Sequence, residues 1–301
     1  MNAFNFFCDE MGKRTEGRVK VTLYPAGALA PPPEAFNACV KGVADISESV
    51  AGFTAGAFPG TQVGELPLGM PSSWVSSNVM NDWYNNFKPK EYDQVVVLFL
   101  SAQPPPWIAT VNKPVRSLED LKGLTIRTSG AVDAKTLEAL GAIPRPMPVT
   151  EIYEALSKGV IEGVAISVEA FPAFKLHEVI KYSTDITKID WATPGYLVMN
   201  RDSWGKLSSQ DQKTLSAVAK ETFNMRAKAQ DGDLAGAMKM FTGLPGREVI
   251  KLSPAEMAKW EAKVSVVIDD WVSGVTAKGL PGADYVKYAK ERIDYWSKQK
   301  P

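Results

Sequence analysis

The sequence is poor in the residue types that most often carry catalysis. It has one histidine, His177, in 301 residues, and its two cysteines, Cys8 and Cys39, form no CxxC pair and show no metal-site spacing. It also lacks a GxSxG turn, a Walker-type phosphate loop and a GxGxxG segment after a predicted strand. We therefore expect no enzyme, no metal and no cofactor, and His177 is more typical of a surface position or a helix end.

An excess of either charge is also missing. Lysine plus arginine number 34 and aspartate plus glutamate number 34, so the chain has no electrostatic signature for nucleic acid or for an anionic membrane. No run approaches the roughly 18 to 20 apolar residues of a membrane span. The start, MNAFNFFCDE, lacks the basic end and the cleavage site of a signal peptide. We expect a soluble chain from which any export signal has been removed.

Both cysteines lie on the apolar side of a predicted helix. Two roles stay open for Cys8 and Cys39: they are small buried hydrophobic residues, or they form one disulfide in an oxidising compartment. The number of cysteines does not separate the two.

What the sequence does contain is the alternation of strands and helices typical of an α/β protein. A length of 301 residues with 45% hydrophobic residues favours two lobes over one core. Strands are predicted at residues 19–23, 43–49, 95–100, 124–127, 143–149, 161–166 and 195–200, with helices at 131–140 and 150–158 between them. This order predicts a mostly parallel sheet with helices on both faces.

Three further helices are predicted near the C-terminus. An unusually long one runs from Ser208 to about Phe241, and a helix of that length can serve two lobes at once. The segment SPAE at residues 253–256 supplies a serine cap, a proline in the first turn and a glutamate at the third position. A last helix covers residues 284–297.

Arg127 is the strongest candidate for a binding residue. It closes the strand at residues 124–127, and the small polar turn after it opens a helix. Ligands of open α/β sheets bind beyond the carboxyl ends of strands, and a guanidinium matches a carboxylate with two parallel hydrogen bonds. The backbone amides of Ser129 and Gly130 would add to the stabilisation of an anion. The alternative is an arginine in a structural salt bridge.

Several segments together resemble a family of transport proteins. The chain is similar to the substrate-binding subunits of tripartite ATP-independent periplasmic (TRAP) transporters, the DctP-like family. The resemblance runs over most of the chain and rests on the succession of TEGRVKVTLYPAGAL (15–29), KGVADISES (41–49), VNKPVRSLEDLKGLTIR (111–127), LGAIPRPMPVTEIYEALSKGVIEG (140–163) and GYLVMNRDSWGKLS (195–208).

The resemblance implies a fold, a location and partners. The fold is of the periplasmic-binding-protein type, with two α/β lobes, a ligand cleft between them and a long bracing helix. Residues 1–104 with 196–232 would form the first lobe and residues 105–195 with 233–301 the second. The protein would work in the periplasm, close on a small organic acid and deliver it to the small and large TRAP membrane subunits, as a monomer with no nucleic-acid partner.

The same resemblance implies that Arg127 pairs with the carboxylate of the ligand. Two departures from the sialic-acid-binding members change what else fits. Where they carry a second arginine in the crossover, this chain has Trp107, and where they have a DGQEN turn it reads EGVAI, which places Val164 and Ile166 at polar positions. A sugar acid would leave hydroxyl groups unpaired in such a pocket.

These replacements favour an aromatic or bulky apolar monocarboxylate. Trp107 and Trp191 are candidates to stack on the ring, and Phe53, after the strand that holds Ser49, would close over it from the first lobe. Core packing is the alternative role for each tryptophan. The open alternatives for the whole chain are a small aliphatic keto, hydroxy or dicarboxylic acid as ligand, a bilobal enzyme, and the sensor domain of a regulator.

Overall fold

The computed structural model describes residues 3–25 and 27–300, which fold into two sheets covered by helices. The α-helices are α1 (Ala3–Arg14), α2 (Ala35–Val40), α3 (Ser73–Phe87), α4 (Leu118–Leu121), α5 (Ala131–Ala139), α6 (Ile152–Ser157), α7 (Ala170–Ala173), α8 (Arg201–Lys206), α9 (Ser209–Thr242), α10 (Pro254–Thr276) and α11 (Gly282–Trp296). The strands are β1 (Ile46–Val50), β2 (Val95–Gln103), β3 (Trp107–Thr110), β4 (Thr125–Thr128), β5 (Ile143–Pro146), β6 (Gly163–Ile166), β7 (Tyr182–Asp185), β8 (Thr193–Asn200) and β9 (Glu248–Lys251).

Each lobe is built on one sheet. The first lobe has the order β1-β8-β2, and the second has the order β5-β4-β6-β3-β7-β9. β8 is antiparallel to both of its neighbours, and β3 is antiparallel to β6 and β7. The prediction of a mostly parallel sheet is therefore wrong. The two antiparallel strands are the ones that begin directly after a crossing between lobes, where the chain enters a new sheet from the opposite direction.

The chain crosses between the two sheets at a proline-rich segment and again before β8. The chain leaves the first sheet at Gln103 and enters the second at Trp107, through three consecutive prolines. It returns between Asp185 and Thr193. In the return segment the amide of Gly69 donates to the Asp190 carbonyl (3.0 Å).

The long helix is confirmed, and it connects both lobes. Ser208 caps α9 by accepting a hydrogen bond from the Asp211 amide (3.1 Å). Val218, in its first half, packs with α1 and β2 in the core of the first lobe. Phe241, near its end, is buried in the core of the second lobe with Phe171 at 5.3 Å.

The helix α10 also spans the lobes. Its start follows the predicted SPAE signal, since the Ser253 hydroxyl accepts from the Glu256 amide at 3.2 Å. Trp260 is fully buried in the second lobe, whereas Trp271, three turns later, packs in the core of the first. The last helix, α11, lies on α3, with Tyr285 against Trp83 at a ring distance of 5.1 Å. The assignment of all of residues 233–301 to the second lobe does not match this packing, and we propose that residues 267–300 belong with the first.

Two local predictions also change. Residues 19–23 form no strand; Val19 and Val21 pack against the first lobe, so their alternation reflects one-sided burial without ladder pairing. Cys8 and Cys39 are free thiols, so the alternative in which they form a disulfide is wrong. Burial raises the pKa of the Cys39 thiol to about 12, which keeps it protonated. Over the described ranges, no helix is both long and apolar enough to span a bilayer.

Candidate functional site

Arg127 lies on β4 as a buried cation without a carboxylate partner. Its side chain is 7% exposed, and its Nε and Nη2 donate to the carbonyl oxygen of Met147 at 3.0 and 2.9 Å. Within residues 3–25 and 27–300 it forms no ion pair, so the structural salt bridge is not seen. Burial lowers the pKa of Arg127, and the charge of Asp133 opposes that change. The Nη1 edge makes no hydrogen bond to a described residue.

The helix start after Arg127 already holds an anion, which is the chain's own Asp133. Its carboxylate accepts from the Ser129 amide (2.7 Å), the Ser129 hydroxyl (2.9 Å) and the Gly130 amide (2.8 Å). Burial raises the pKa of Asp133, and these bonds oppose the rise. Ser129 and Gly130 were expected to donate to the ligand, but in this structure their donors are occupied by Asp133. The signal missed in the sequence is an acid at the third position of the helix, which is a capping pattern.

The predicted apolar residues share a sheet face with Arg127. Arg127 pairs with Val164 on β6, and Ile166, two residues on, lies opposite Trp107 on β3. Because side chains alternate along a strand and paired residues point to the same side, all four project from one face. The intervening residue Ala165 packs with the cluster on the other face.

These four side chains differ in depth. Val164 is fully buried and supports the site from below, whereas Trp107 and Ile166 are only partly buried. Trp107 and Ile166 thus form an apolar surface beside the guanidinium. The structure places Arg127, Trp107, Val164 and Ile166 on one face of the second sheet.

A second arginine lies beside the first on the edge strand. Arg145 of β5 is the register partner of Arg127 on β4, and it is exposed. It has no carboxylate within ion-pair distance in the described part of the chain. Sequence reasoning predicted the strand at residues 143–149 but did not single out Arg145, because one arginine between two prolines carries no binding signal of its own. An exposed cation at this edge adds positive potential where an anion approaches Arg127.

The first lobe contributes residues that flank the turn after β1. The Ser49 hydroxyl is buried and donates to the Pro32 carbonyl (3.2 Å), and Phe53 is 47% exposed. Opposite Ser49, burial raises the pKa of the Tyr196 hydroxyl to about 12, and the nearby hydroxyls of Ser49 and Thr54 oppose the rise. No described contact joins Ser49 or Phe53 to Arg127.

Glu65 is a further residue that the sequence did not single out. It ends the 3₁₀ turn Thr61–Glu65 of the first lobe, and its carboxylate has no hydrogen-bond partner among the residues described. Its Oε1 lies 3.2 Å from the place that a Cβ on Gly52 would take. Burial, and then the charge of Asp133, raise the pKa of Glu65 to about 8. The signal was a single acid inside a glycine- and proline-rich stretch.

Trp191 does not join this site. It is 2% exposed and packs with Ile108 and Leu124 in the cluster on the opposite face of the second sheet from Arg127. This is the packing role that the sequence left open, and we leave Trp191 out of the proposed site.

His177 has a structural environment. Its Nδ1 lies 3.1 Å from the Phe171 carbonyl, and its own carbonyl accepts two bonds from Arg247, at 3.2 and 2.9 Å. Among residues 3–25 and 27–300, no group of histidine, cysteine and acidic side chains is arranged to hold a metal ion.

Two lobes joined by crossing segments, with an unpaired buried cation at the carboxyl end of a strand, define the class of two-lobed solute-binding proteins. The chain belongs to one family within that class: the profile of bacterial extracellular solute-binding protein family 7, DctP, matches residues 1–273.

Solved structures of TRAP solute-binding proteins are similar over nearly the whole chain. One from Desulfovibrio salexigens, an open complex, has a TM-score of 0.90 at 34% identity and covers 99% of this chain and 92% of that one. One from a marine metagenome, described as specific for aromatic acid ligands and bound to meta-hydroxyphenylacetate, has a TM-score of 0.90 at 30% identity and covers 98% and 94%. One from Rhodoferax ferrireducens, with copurified benzoate, has a TM-score of 0.89 at 27% identity and covers 99% and 94%.

Proposed function

We propose that this chain captures an aromatic monocarboxylate between its lobes. The observation that carries the proposal is the shared sheet face on which Arg127 lies beside the partly exposed side chains of Trp107 and Ile166. The free Nη1 edge of Arg127 would donate to the carboxylate, and the ring would lie against Trp107. The aromatic acids bound to the metagenome and Rhodoferax proteins support the same class of ligand.

The physical preference comes from what the pocket lacks. Apolar side chains leave the hydroxyl groups of a sugar acid unpaired, at about 1 to 3 kcal/mol for each buried group. A ring stacked on tryptophan gains about 0.5 to 1.5 kcal/mol beyond the burial of its area, which amounts to several-fold in affinity over an aliphatic acid of equal charge.

The proposed setting is the periplasm, with the TRAP membrane subunits as partners that receive the ligand. The family supports this setting, since its members are extracellular solute-binding proteins. Ligand uptake by cells that lack the membrane subunits would test the partnership, and undiminished uptake would contradict it.

Competition calorimetry tests the ligand class. Benzoate and phenylacetate should displace bound pyruvate, lactate or succinate at low concentration. The three aliphatic acids should displace a bound aromatic acid only at higher concentration. If the three aliphatic acids bind more tightly, the aromatic assignment is wrong and the aliphatic alternative holds.

A further inference from the structure

A fully buried carboxyl group lies in the return segment between the lobes, residues 186–192. Asp190 is 0% exposed, and neither of its carboxylate oxygens accepts a hydrogen bond from a side chain of residues 3–25 and 27–300. The nearby Met70 amide favours its charged form. A carboxyl group kept from water with so little compensation is stable only when it is neutral.

Asp190 belongs to one lobe along the chain and contacts the other through its side chain. Its neighbours Ile189 and Trp191 are buried in the core of the second lobe. Met70, whose amide lies beside the carboxyl group, is buried in the core of the first. A change in the angle between the lobes therefore moves Met70 relative to Asp190 and changes the access of water to the carboxyl group.

The backbone holds this contact closed on both sides of Asp190. The Gly69 amide donates to the Asp190 carbonyl at 3.0 Å, and the Ala192 amide donates to the Gly64 carbonyl at 2.9 Å. Gly69 has a φ of +74°, and a Cβ there would lie 2.7 Å from the Lys188 carbonyl oxygen. The two segments thus touch through their backbones, and the carboxyl group lies within that contact.

The surroundings of Asp190 offer no compensating cation in the described part of the chain. Burial, and then the charge of Asp185 at the end of β7, raise the pKa of Asp190 well above its ordinary value of 3.8. Residues 66–71 of the first lobe, LPLGMP, contain no charged side chain, and Lys188 is exposed. The α10 residues in the adjoining core are apolar: Met257, Trp260 and Val264.

We propose that Asp190 links a proton to the packing of the lobes: its carboxyl group is neutral while the return segment is seated against residues 66–71, and its ionisation loosens that contact. Ionisation releases the proton to solvent and leaves a charge that needs water, which only a more open contact admits. The pH then influences how readily the lobes of the empty protein separate. This inference does not depend on which acid the protein binds.

Hydrogen exchange measured by NMR on the ligand-free protein tests the proposal. The probes are the amides of Gly69 and Ala192, and the reference is Asp190→Asn, whose side chain has the same shape and never carries the charge. The ratio of wild-type to variant exchange rates cancels the direct effect of pH on exchange. We expect this ratio to rise at least about tenfold between about pH 5 and pH 9, because the wild-type contact opens more often once Asp190 ionises.

Two further variants make the result specific. Asp185→Asn removes the charge that opposes ionisation of Asp190, so the increase in the two exchange rates should begin at a lower pH than in the wild type. This shift also decides the matter if Asp190→Asn fails to fold. Asp202→Asn changes an exposed acid of α8 and should behave as the wild type.

Small-angle scattering gives an independent measurement on the same proteins. The radius of gyration of the ligand-free wild type should increase over the same pH range, and that of Asp190→Asn should stay constant. A ratio of exchange rates that does not change with pH, or an equal increase in radius for both proteins, would overturn the proposal. The affinity for benzoate is measured separately, so the outcome leaves the proposed function untouched.

Discussion

Arg127 is held by two hydrogen bonds to a single atom, the carbonyl oxygen of Met147. The two bonds come from Nε and Nη2, so they fix the plane of the guanidinium and leave Nη1 for a ligand. Met147 follows β5, the strand that pairs with β4, so the neighbouring strand orients the side chain before any ligand arrives. A group oriented in advance loses little freedom when it binds.

Replacing Arg127 by alanine should weaken binding of benzoate by more than about 100-fold, because a buried carboxylate would lose its charged partner. Arg127→Lys is the matched control. Lysine keeps the charge but cannot bond the Met147 carbonyl and a carboxylate in one plane. The affinity of Arg127→Lys for benzoate should therefore lie between those of the wild type and Arg127→Ala. Calorimetry on all three proteins measures the effect, and near-wild-type affinity of the alanine variant would contradict the anchor.

The empty protein should not depend on this charge for stability. Arg127→Met removes a buried cation that has no carboxylate partner in the described chain, so we expect the free energy of unfolding to stay equal or rise by about 1 kcal/mol. Urea unfolding of the ligand-free variant measures it. A loss of more than about 1 kcal/mol would mean that the bonds to Met147 are needed by the fold.

The two tryptophans should separate binding from stability. Trp107→Ala should lower the affinity for aryl acids several-fold, with Trp107→Phe retaining most of it. Trp191→Ala should lower the free energy of unfolding by about 3 to 5 kcal/mol, since it opens a cavity in a core. Calorimetry and denaturant titration on both alanine variants check this, and the opposite pattern would exchange the two roles.

Stability should fall with rising pH through Glu65. The unfolded chain releases this proton near the ordinary glutamate value of 4.5, whereas the folded chain holds it to about 8. Between those values the folded state binds more protons, so the free energy of unfolding decreases as pH rises. The difference in unfolding free energy between wild type and Glu65→Gln should change across pH 5 to 8. A constant difference would show that the carboxyl group is ionised throughout.

The middle of the long helix should contribute to stability through Asp231. Its carboxylate accepts hydrogen bonds from the amides of Ser73 (2.7 Å) and Trp74 (3.1 Å) at the start of α3. Asp231→Ala should lower the free energy of unfolding by about 1 to 2 kcal/mol, as for other caps. Asp233→Ala, at an exposed acid on the same helix, should stay within about 0.5 kcal/mol. Thermal unfolding of both variants compares them, and equal losses would show that Asp231 acts by charge alone.

The parts of the fold that local patterns encode were predictable. The start at Ser253 follows from side chains within one turn of the helix end, and the length of α9 follows from a run between Ser208 and Phe241 that contains no proline. The direction of β3 and β8 was not predictable, because it depends on how the chain crosses between sheets. Residues 19–23 show the same limit, since their alternation records burial and not pairing.

The site divides in the same way. Arg127, Trp107 and Ile166 were proposed because their types are unusual for their places in the chain, and their position on one sheet face follows from strand register. Asp133 carries a local signal, an acid at the third position of its helix, which the sequence analysis did not use, whereas the environment of Glu65 depends on the separate turn at Gly52. Trp191 misled because its place at a crossing is shared by binding residues and by core residues alike.

One continuous helix, α10, is embedded in the cores of both lobes, with Trp260 at one end and Trp271 at the other. Any rotation of one lobe toward the other must therefore bend α10 or shift its packing in one of the two cores, because a packed helix does not slide freely. The helix therefore resists a change in the angle between the lobes. We expect the separation of the lobes in the ligand-free protein to depend on the segment between Val264 in one core and Val267 in the other, so that a substitution there would change this separation without altering a proposed ligand contact.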